Sequence, residues 1–244
     1  MSHMTAAMLR LRVSDGEIQC PRKGLIGPWG HAFPHVATPG PAVDFLCYVV
    51  RWFDHWLKGR DTGIMREPML RVFLQDSAPP SSEYDVRAGR WSSTASWPPI
   101  SIDSEQHMLH GPGAQALPVP ADLSHGARAG MWCAYGLPDD PPGEQGGEDA
   151  RCLVFDLPPV DRVTTYLGRP TIDVTLTSDR PIAHLVVRLC DVASDGTSTL
   201  VSNGVLNLTH RAGSGDPIAL PIDEAFDARL TLDSLGYRLL PGHH

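Results

Sequence analysis

The sequence predicts an α/β segment followed by an all-β segment. Two observations carry that prediction. The first hundred residues read strand, break, helix, strand. The rest reads as short apolar stretches separated by turn residues. The 23 Pro and 23 Gly among 244 residues agree, because they fit many turns and a β-rich body better than a helical bundle. The boundary falls near Pro99, dividing the chain into 1–99 and 100–244.

Taken in order, Met8–Val13 alternates apolar and polar residues and predicts a strand, closed by the turn signal Ser14-Asp15-Gly16. Gly24-Leu25-Ile26 predicts a short buried strand that stops at Gly27-Pro28, since proline has no N–H for a ladder. Trp29, Gly30 and His31 follow, so an imidazole stands at the carboxyl edge of a sheet, where open α/β sheets keep their chemistry. On these residues alone His31 is either a loop residue on the surface or a general base. The three prolines of 32–41 predict an extended loop. His31 and His35 have i, i+4 spacing, but Pro34 between them argues against a metal-binding helix face.

Pro41 suits a first helical turn, and Phe45, Val49, Trp52, Phe53 and Trp56 recur at steps of three and four. This is an amphipathic helix, closed by Lys58 and Gly59, with its stripe expected to back the strand that ends before His31. His55 reads as a packed or half-exposed helix residue and not as a second catalytic histidine. Pro68–Leu74 predicts the next strand and 77–82 a loop.

Beyond the boundary, 111–113 and 139–149 are loop-like. The acids of 139–149 invite a calcium reading, but the ligand spacing of a calcium loop is absent, and a mobile solvated loop is expected. His107 and His110 read as surface residues. Thr171–Thr177 alternates and predicts a half-buried strand. Ala183–Asp191 is β-branched and apolar and predicts a more central one. Ser194-Asp195-Gly196 marks a hairpin turn, after which 200–201 and 205–208 continue the pattern. Regular short strands of this kind predict a sandwich of jelly-roll type.

Gly27-Pro28-Trp29-Gly30-His31 resembles the histidine motif of the cocaine esterase (CocE/NonD) and X-Pro dipeptidyl-peptidase group of serine hydrolases. Further stretches resemble that group in the same order along the chain: Trp52–Gly59, Pro68–Leu74, Arg188–Val192, Asp195-Gly196, Gly204–Arg211 and Leu230–His243. The resemblance runs from about Pro21 to the C-terminus. It implies the C-terminal piece of an α/β-hydrolase domain followed by a jelly-roll that looks incomplete at His244. It implies that His31 is the base of a Ser-His-Asp triad, with Trp29 as a candidate pocket residue. The implied substrate of a full-length parent is a small ester, amide or peptide. No cofactor is implied.

The nucleophile of such an enzyme sits in a Gly-x-Ser-x-Gly elbow before the histidine. Thirty residues precede His31, and no Gly-x-Ser-x-Gly occurs anywhere in the sequence. The chain is therefore expected to be inactive alone. A net charge of −8 without a basic patch argues against nucleic acid. No apolar run approaches the ~20 residues of a membrane helix, and no signal peptide is recognisable. Five scattered Cys without C-x-x-C spacing suggest reduced, mostly buried thiols and a cytoplasmic setting. An open strand edge in an incomplete jelly-roll would pair with a second copy. The alternative to a hydrolase fragment is a non-catalytic carbohydrate-binding jelly-roll, which needs Trp91, Trp97, Trp132 and Tyr135 exposed on one face.

Overall fold

The computed structural model describes residues 21–97, 103–109, 117–119, 124–213 and 215–244. These hold β1 (Gly24–Ile26), α1 (Phe45–Lys58), a 3-10 turn (Ile64–Arg66), β2 (Leu70–Asp76), β3 (Gly89–Thr94) and α2 (Gly146–Asp149). Then come β4 (Thr164–Gly168), β5 (Thr171–Leu176), β6 (His184–Val192), β7 (Ser198–Asn207), a second 3-10 turn (Leu208–His210), β8 (Phe226–Thr231) and β9 (Leu235–Leu239). The strand expected at Met8–Val13, its turn at 14–16, the loop 111–113 and His110 lie outside the described residues.

β2 is the strand on which the largest sheet is built. Antiparallel β3 covers one edge of it, from Leu70↔Thr94 to Gln75↔Gly89. The other edge is shared. Parallel β1 takes the first part, Gly24↔Leu70 to Ile26↔Val72, and parallel β9 takes the end, at Gln75↔Tyr237 and Asp76↔Arg238. β4 then adds to β9 in antiparallel register. β1–α1–β2 is thus a parallel strand pair joined through a helix. Strands from both sides of residue 99 share one sheet. Leu167 of β4 packs on the cluster Ile26, Leu70, Val72 and Leu74, beside Met69 and Trp97. Leu70 and Val72 are among the most deeply buried side chains of the fold.

Two smaller sheets complete the strands: β5 with β8 and the β6–β7 hairpin, both antiparallel. Burial along β5 alternates residue by residue, as its sequence predicts. β6 was expected to be central. It pairs only with β7 among the described residues; Leu185 packs on Leu208, Leu220 and Ala228, and Leu189 on Leu235, Tyr237 and Leu239. At its end Val192 exchanges both backbone hydrogen bonds with His244. No strand occupies 103–109, 117–119 or 124–163, where short β segments were expected.

Two further expectations change. The helix begins later than Pro41: Asp44 caps it by accepting from Cys47 N at 3.1 Å, because aspartate caps where proline has nothing to offer a free N–H. Gly59 closes it at φ +63°, as predicted. No residue of α1 is fully buried, however: of its expected stripe Phe45, Val49 and Trp52 are half-buried, while Phe53 and Trp56 are exposed. The loop 139–149 is not a solvated strip either. Gln145 is fully buried, donating to Arg128 O and Gly143 O at 2.7 Å each and accepting from Arg188 Nη1 at 2.7 Å. Buried Glu148 accepts from Gly126 N at 3.0 Å and from Arg151 Nη2 at 2.9 Å. These side chains fold back onto backbone groups that a mobile loop would leave to water. Among the described residues no group of His, Cys, Asp and Glu is arranged to hold a metal, and no helix is long and apolar enough to cross a membrane.

The described cysteines are free, and they are less buried than expected: Cys47 is exposed and Cys133, Cys152 and Cys190 are half-buried. Burial, then the Asp149 carboxylate, pushes the Cys190 thiol from 9.0 to about 11. The Tyr237 hydroxyl is pushed up by burial and then by Asp191. Both groups keep their protons longer folded than unfolded, so both stabilise the fold below their ordinary values and cease to as pH climbs through the raised ones. Thermal melts should therefore show stability falling from about pH 9 upward. Alkylation near pH 8, read by mass spectrometry, should mark Cys47 well before Cys190. Equal rates would contradict this.

Candidate active site

β1 ends where β2 changes partner. Past Ile26 the edge of β2 passes to β9, with Gly236 so close that a Cβ there would stand 3.2 Å from Phe73 O. The chain from Gly27 must leave the sheet at this seam, and Pro28, fully buried, ends the ladder. Trp29 anchors the departing loop. It is 4% exposed, its Nε1 donates to Pro41 O at 2.8 Å, and its ring lies 6.0 Å from that of Trp91. A Cβ on Gly27 would fall 2.6 Å from the Trp29 ring, so glycine is needed there. Trp29 thus packs beneath the loop.

His31 is exposed, and backbone contacts fix where it stands. His31 N donates to Ala134 O at 2.6 Å, and Gly30 N donates to Thr38 O at 3.1 Å. Gly30 and Gly136 approach so closely that a Cβ on Gly30 would lie 2.9 Å from Gly136 N. Gly136 has φ +87°, and a Cβ on it would meet Thr38 O at 2.2 Å. The imidazole meets the Tyr135 ring edge-on, with centroids 5.3 Å apart at 76°. Among the described residues no side-chain oxygen hydrogen-bonds to it.

The facing loop is tied by Asp140, a residue that sequence reasoning placed in a solvated strip. Its Oδ2 accepts from Tyr135 N at 2.7 Å and Leu137 N at 3.0 Å. The Leu137 N–H, with those of Tyr135 and Gly136, holds the carboxyl below the usual aspartate range against the opposing effect of burial. An acid followed by Pro-Pro was the visible signal. Its target, three backbone N–H groups just upstream, was not visible. His35 lies 6.1 Å from Phe33, ring to ring, and does not join His31 in a ligand set. His55 sits on α1 with its Nδ1 3.1 Å from Arg60 O, in keeping with a helix-surface role.

A serine, an aspartate and a histidine do meet in this chain, at the end of β2. Ser77 Oγ donates to Asp191 Oδ2, Tyr237 OH donates to the same oxygen at 2.7 Å, and His243 Nδ1 lies 2.8 Å from Asp191 Oδ1. The wiring is not that of a triad. Ser77 Oγ is 3.3 Å from the same His243 nitrogen that faces the aspartate, and its hydrogen goes to the carboxylate. The cluster ties β2, β6, β9 and the C-terminal turn together. Of the four aromatics proposed for a carbohydrate face, three are exposed, Trp91 at 38% among them. Trp132 and Tyr135 are 81% and 59% exposed, but Trp97 packs on the core cluster and Trp91 packs edge-on against Phe73 at 5.3 Å.

Several solved structures with a similar fold are described as hydrolases or peptidases. An α-amino acid ester hydrolase superposes with a TM-score of 0.58 at 17% identity, over 90% of this chain and 41% of that one. An aminopeptidase from a marine-sediment Thaumarchaeota archaeon gives 0.57 at 16%, over 91% and 40%. A CocE/NonD family hydrolase from Staphylococcus aureus gives 0.53 at 15%, over 83% and 37%. At such identities the likeness is one of fold. A Mycobacterium bovis protein that carries the name of a serine esterase is 25% identical over 258 residues, covering 90% of this chain and 38% of the relative. A Bacillus anthracis protein that carries the name of a Xaa-Pro dipeptidyl-peptidase is 29% identical over 184 residues, covering 72% and 27%. The chain thus spans less than half the length of the curated relatives it matches. The fold is that of the C-terminal part of CocE/NonD and X-Pro dipeptidyl-peptidase hydrolases. The chain belongs to the family of X-Pro dipeptidyl-peptidase C-terminal non-catalytic domains, whose model matches residues 62–244. His31 precedes that stretch.

Asp140→Ala removes the acceptor of the Tyr135 and Leu137 N–H groups and should cost about 0.5–1.5 kcal/mol in thermal or urea unfolding. It should also shift the His31 imidazole resonances, as Tyr135 loses its tether. A depressed carboxyl stabilises above its ordinary range, so the same resonances should broaden as pH falls below that range. A variant with unchanged stability and unchanged His31 signals would contradict this account.

Proposed function

We propose that this chain is the C-terminal portion of a serine acyl hydrolase acting on small esters, amides or peptides. In this reading β1 and α1 are the end of an α/β-hydrolase sheet, the strands from β2 onward belong to the C-terminal domain, with β4–β9 as strands of a jelly-roll, and His31 is the general base. The observation that carries it is the placing of His31: exposed just beyond the end of β1 and fixed through its own backbone, leaving the imidazole free to meet a partner. The ring would take the proton of a serine hydroxyl as that oxygen attacks the carbonyl carbon, then deliver it to the leaving group. Tyr135 would limit the rotation of the ring, and Trp29 would hold its loop against the sheet. The serine and the acid would come from the part of such proteins that this chain does not match.

The chain alone should hydrolyse p-nitrophenyl esters no faster than its His31→Ala variant. Joined to the M. bovis relative in place of that protein's aligned stretch, it should support turnover that His31→Ala lowers at least about 10³-fold. Turnover in the chimera that survives His31→Ala would overturn the proposal.

A further inference from the structure

One side of the β6 backbone is open. Val192 exchanges both backbone hydrogen bonds with His244, so its N–H and C=O point away from β7. The extra residue of the β6–β7 bulge is Val201, on β7, so the alternation along β6 runs unbroken. The N–H and C=O groups of His184, Val186, Arg188 and Cys190 therefore point the same way as those of Val192. No ladder partner reaches them among the described residues. Exposed edges are usually blunted by lysine, proline or a free charge. β6 contains neither Lys nor Pro, and the guanidinium of Arg188 is already held by Gln145 Oε1 and Asp149 Oδ1 at 2.7 Å each. Beside this edge Val186 and its cross-strand partner Val205 are 57% and 63% exposed.

We propose that this edge pairs with a second copy of the chain, β6 against β6, antiparallel about a two-fold axis at Val187. In such a pair the outward-pointing residues must stand opposite one another, where each couple exchanges two backbone hydrogen bonds. Centred on Val187, His184 meets the partner's Cys190 and Val186 meets the partner's Arg188, so all four open residues find partners. A centre at Arg188 would call on Val192, which His244 holds, and centres nearer either end of the strand lose pairs. The side chains favour a second copy over any other strand. On the face that packs on Leu208, Leu220 and Leu235, the row Leu185, Val187, Leu189 reads the same from both ends. Leu185 then stands opposite the partner's Leu189, Val187 stands opposite its own copy, and the apolar row continues across the axis. On the other face Val186 lies against the partner's Arg188, whose charge is matched by an aspartate as it is in this copy.

Sedimentation of the full chain over a range of concentrations should show monomers and dimers in exchange. Hydrogen exchange at the Val186 and Arg188 amides should slow as the dimer forms. Val186→Lys sets an ammonium opposite the partner's Arg188 at two places in the ladder, so it should weaken association at least about tenfold. It should melt at the wild-type temperature, because the side chain is already exposed and its backbone N–H points away from β7. Val186→Glu sets a carboxylate at the same two places and should associate at least as tightly as the wild type. Val50→Lys, 58% exposed on α1, should associate normally. A chain that stays monomeric at every concentration would overturn the proposal. So would a dimer that Val186→Lys leaves undiminished, one that Val186→Lys and Val186→Glu weaken equally, or one that Val50→Lys dissolves.

Discussion

One edge of β2 serves two partners, and the arrangement of the rest follows from that. β1 holds the edge as far as Val72, and β9 takes it at Gln75. A strand edge has room for one neighbour at a time, so the chain beyond Ile26 is displaced where β9 arrives. Gly27 and Pro28 make the exit feasible: proline withholds a ladder donor, and glycine lets the Trp29 ring fold back over the backbone. Everything about the position of His31 is a consequence of this seam and of the loop that Trp29 pins beneath it.

The same sharing joins the two sequence segments. β9 comes from the last ten residues of the chain, yet it continues the edge that β1 began. The tie is reinforced by polar contacts between distant elements: Ser77, Tyr237 and His243 converge on the buried Asp191, and Arg238 pairs with Asp76. A buried carboxylate is tolerated there because hydroxyl and imidazole donors satisfy it. The group looks like a triad by composition and is a staple by wiring. Residue types alone therefore do not identify catalysis; the direction in which each hydrogen points does.

Much of this was legible in the sequence, and the limits have physical causes. β1, α1, β2 and β5 were readable because a proline break, a capped stripe and strict alternation are local signals. The exposed side of α1 was not readable, since periodicity reveals that a helix has an apolar face and not what covers it. The pairing of β6 with β7 alone among the described residues was missed for a similar reason: its apolar residues pack on two clusters, and strand pairing depends on residues far away in sequence. The staples of Asp140, Gln145 and Glu148 were missed because composition made 139–149 look solvated. Only the fold shows those side chains turning back onto main-chain donors. His31 was singled out through motif and order along the chain, and the loop that holds it, with Ala134, Tyr135 and Gly136, lies a hundred residues away.

The most direct measurement is a crystal structure of the chimera with the M. bovis relative, inhibited by a fluorophosphonate that marks its nucleophilic serine. The account predicts an His31 ring nitrogen within about 3 Å of the modified serine oxygen or a phosphonyl oxygen, with the ring still against Tyr135. An imidazole that stays in solvent, out of hydrogen-bond reach of the labelled serine, would contradict it.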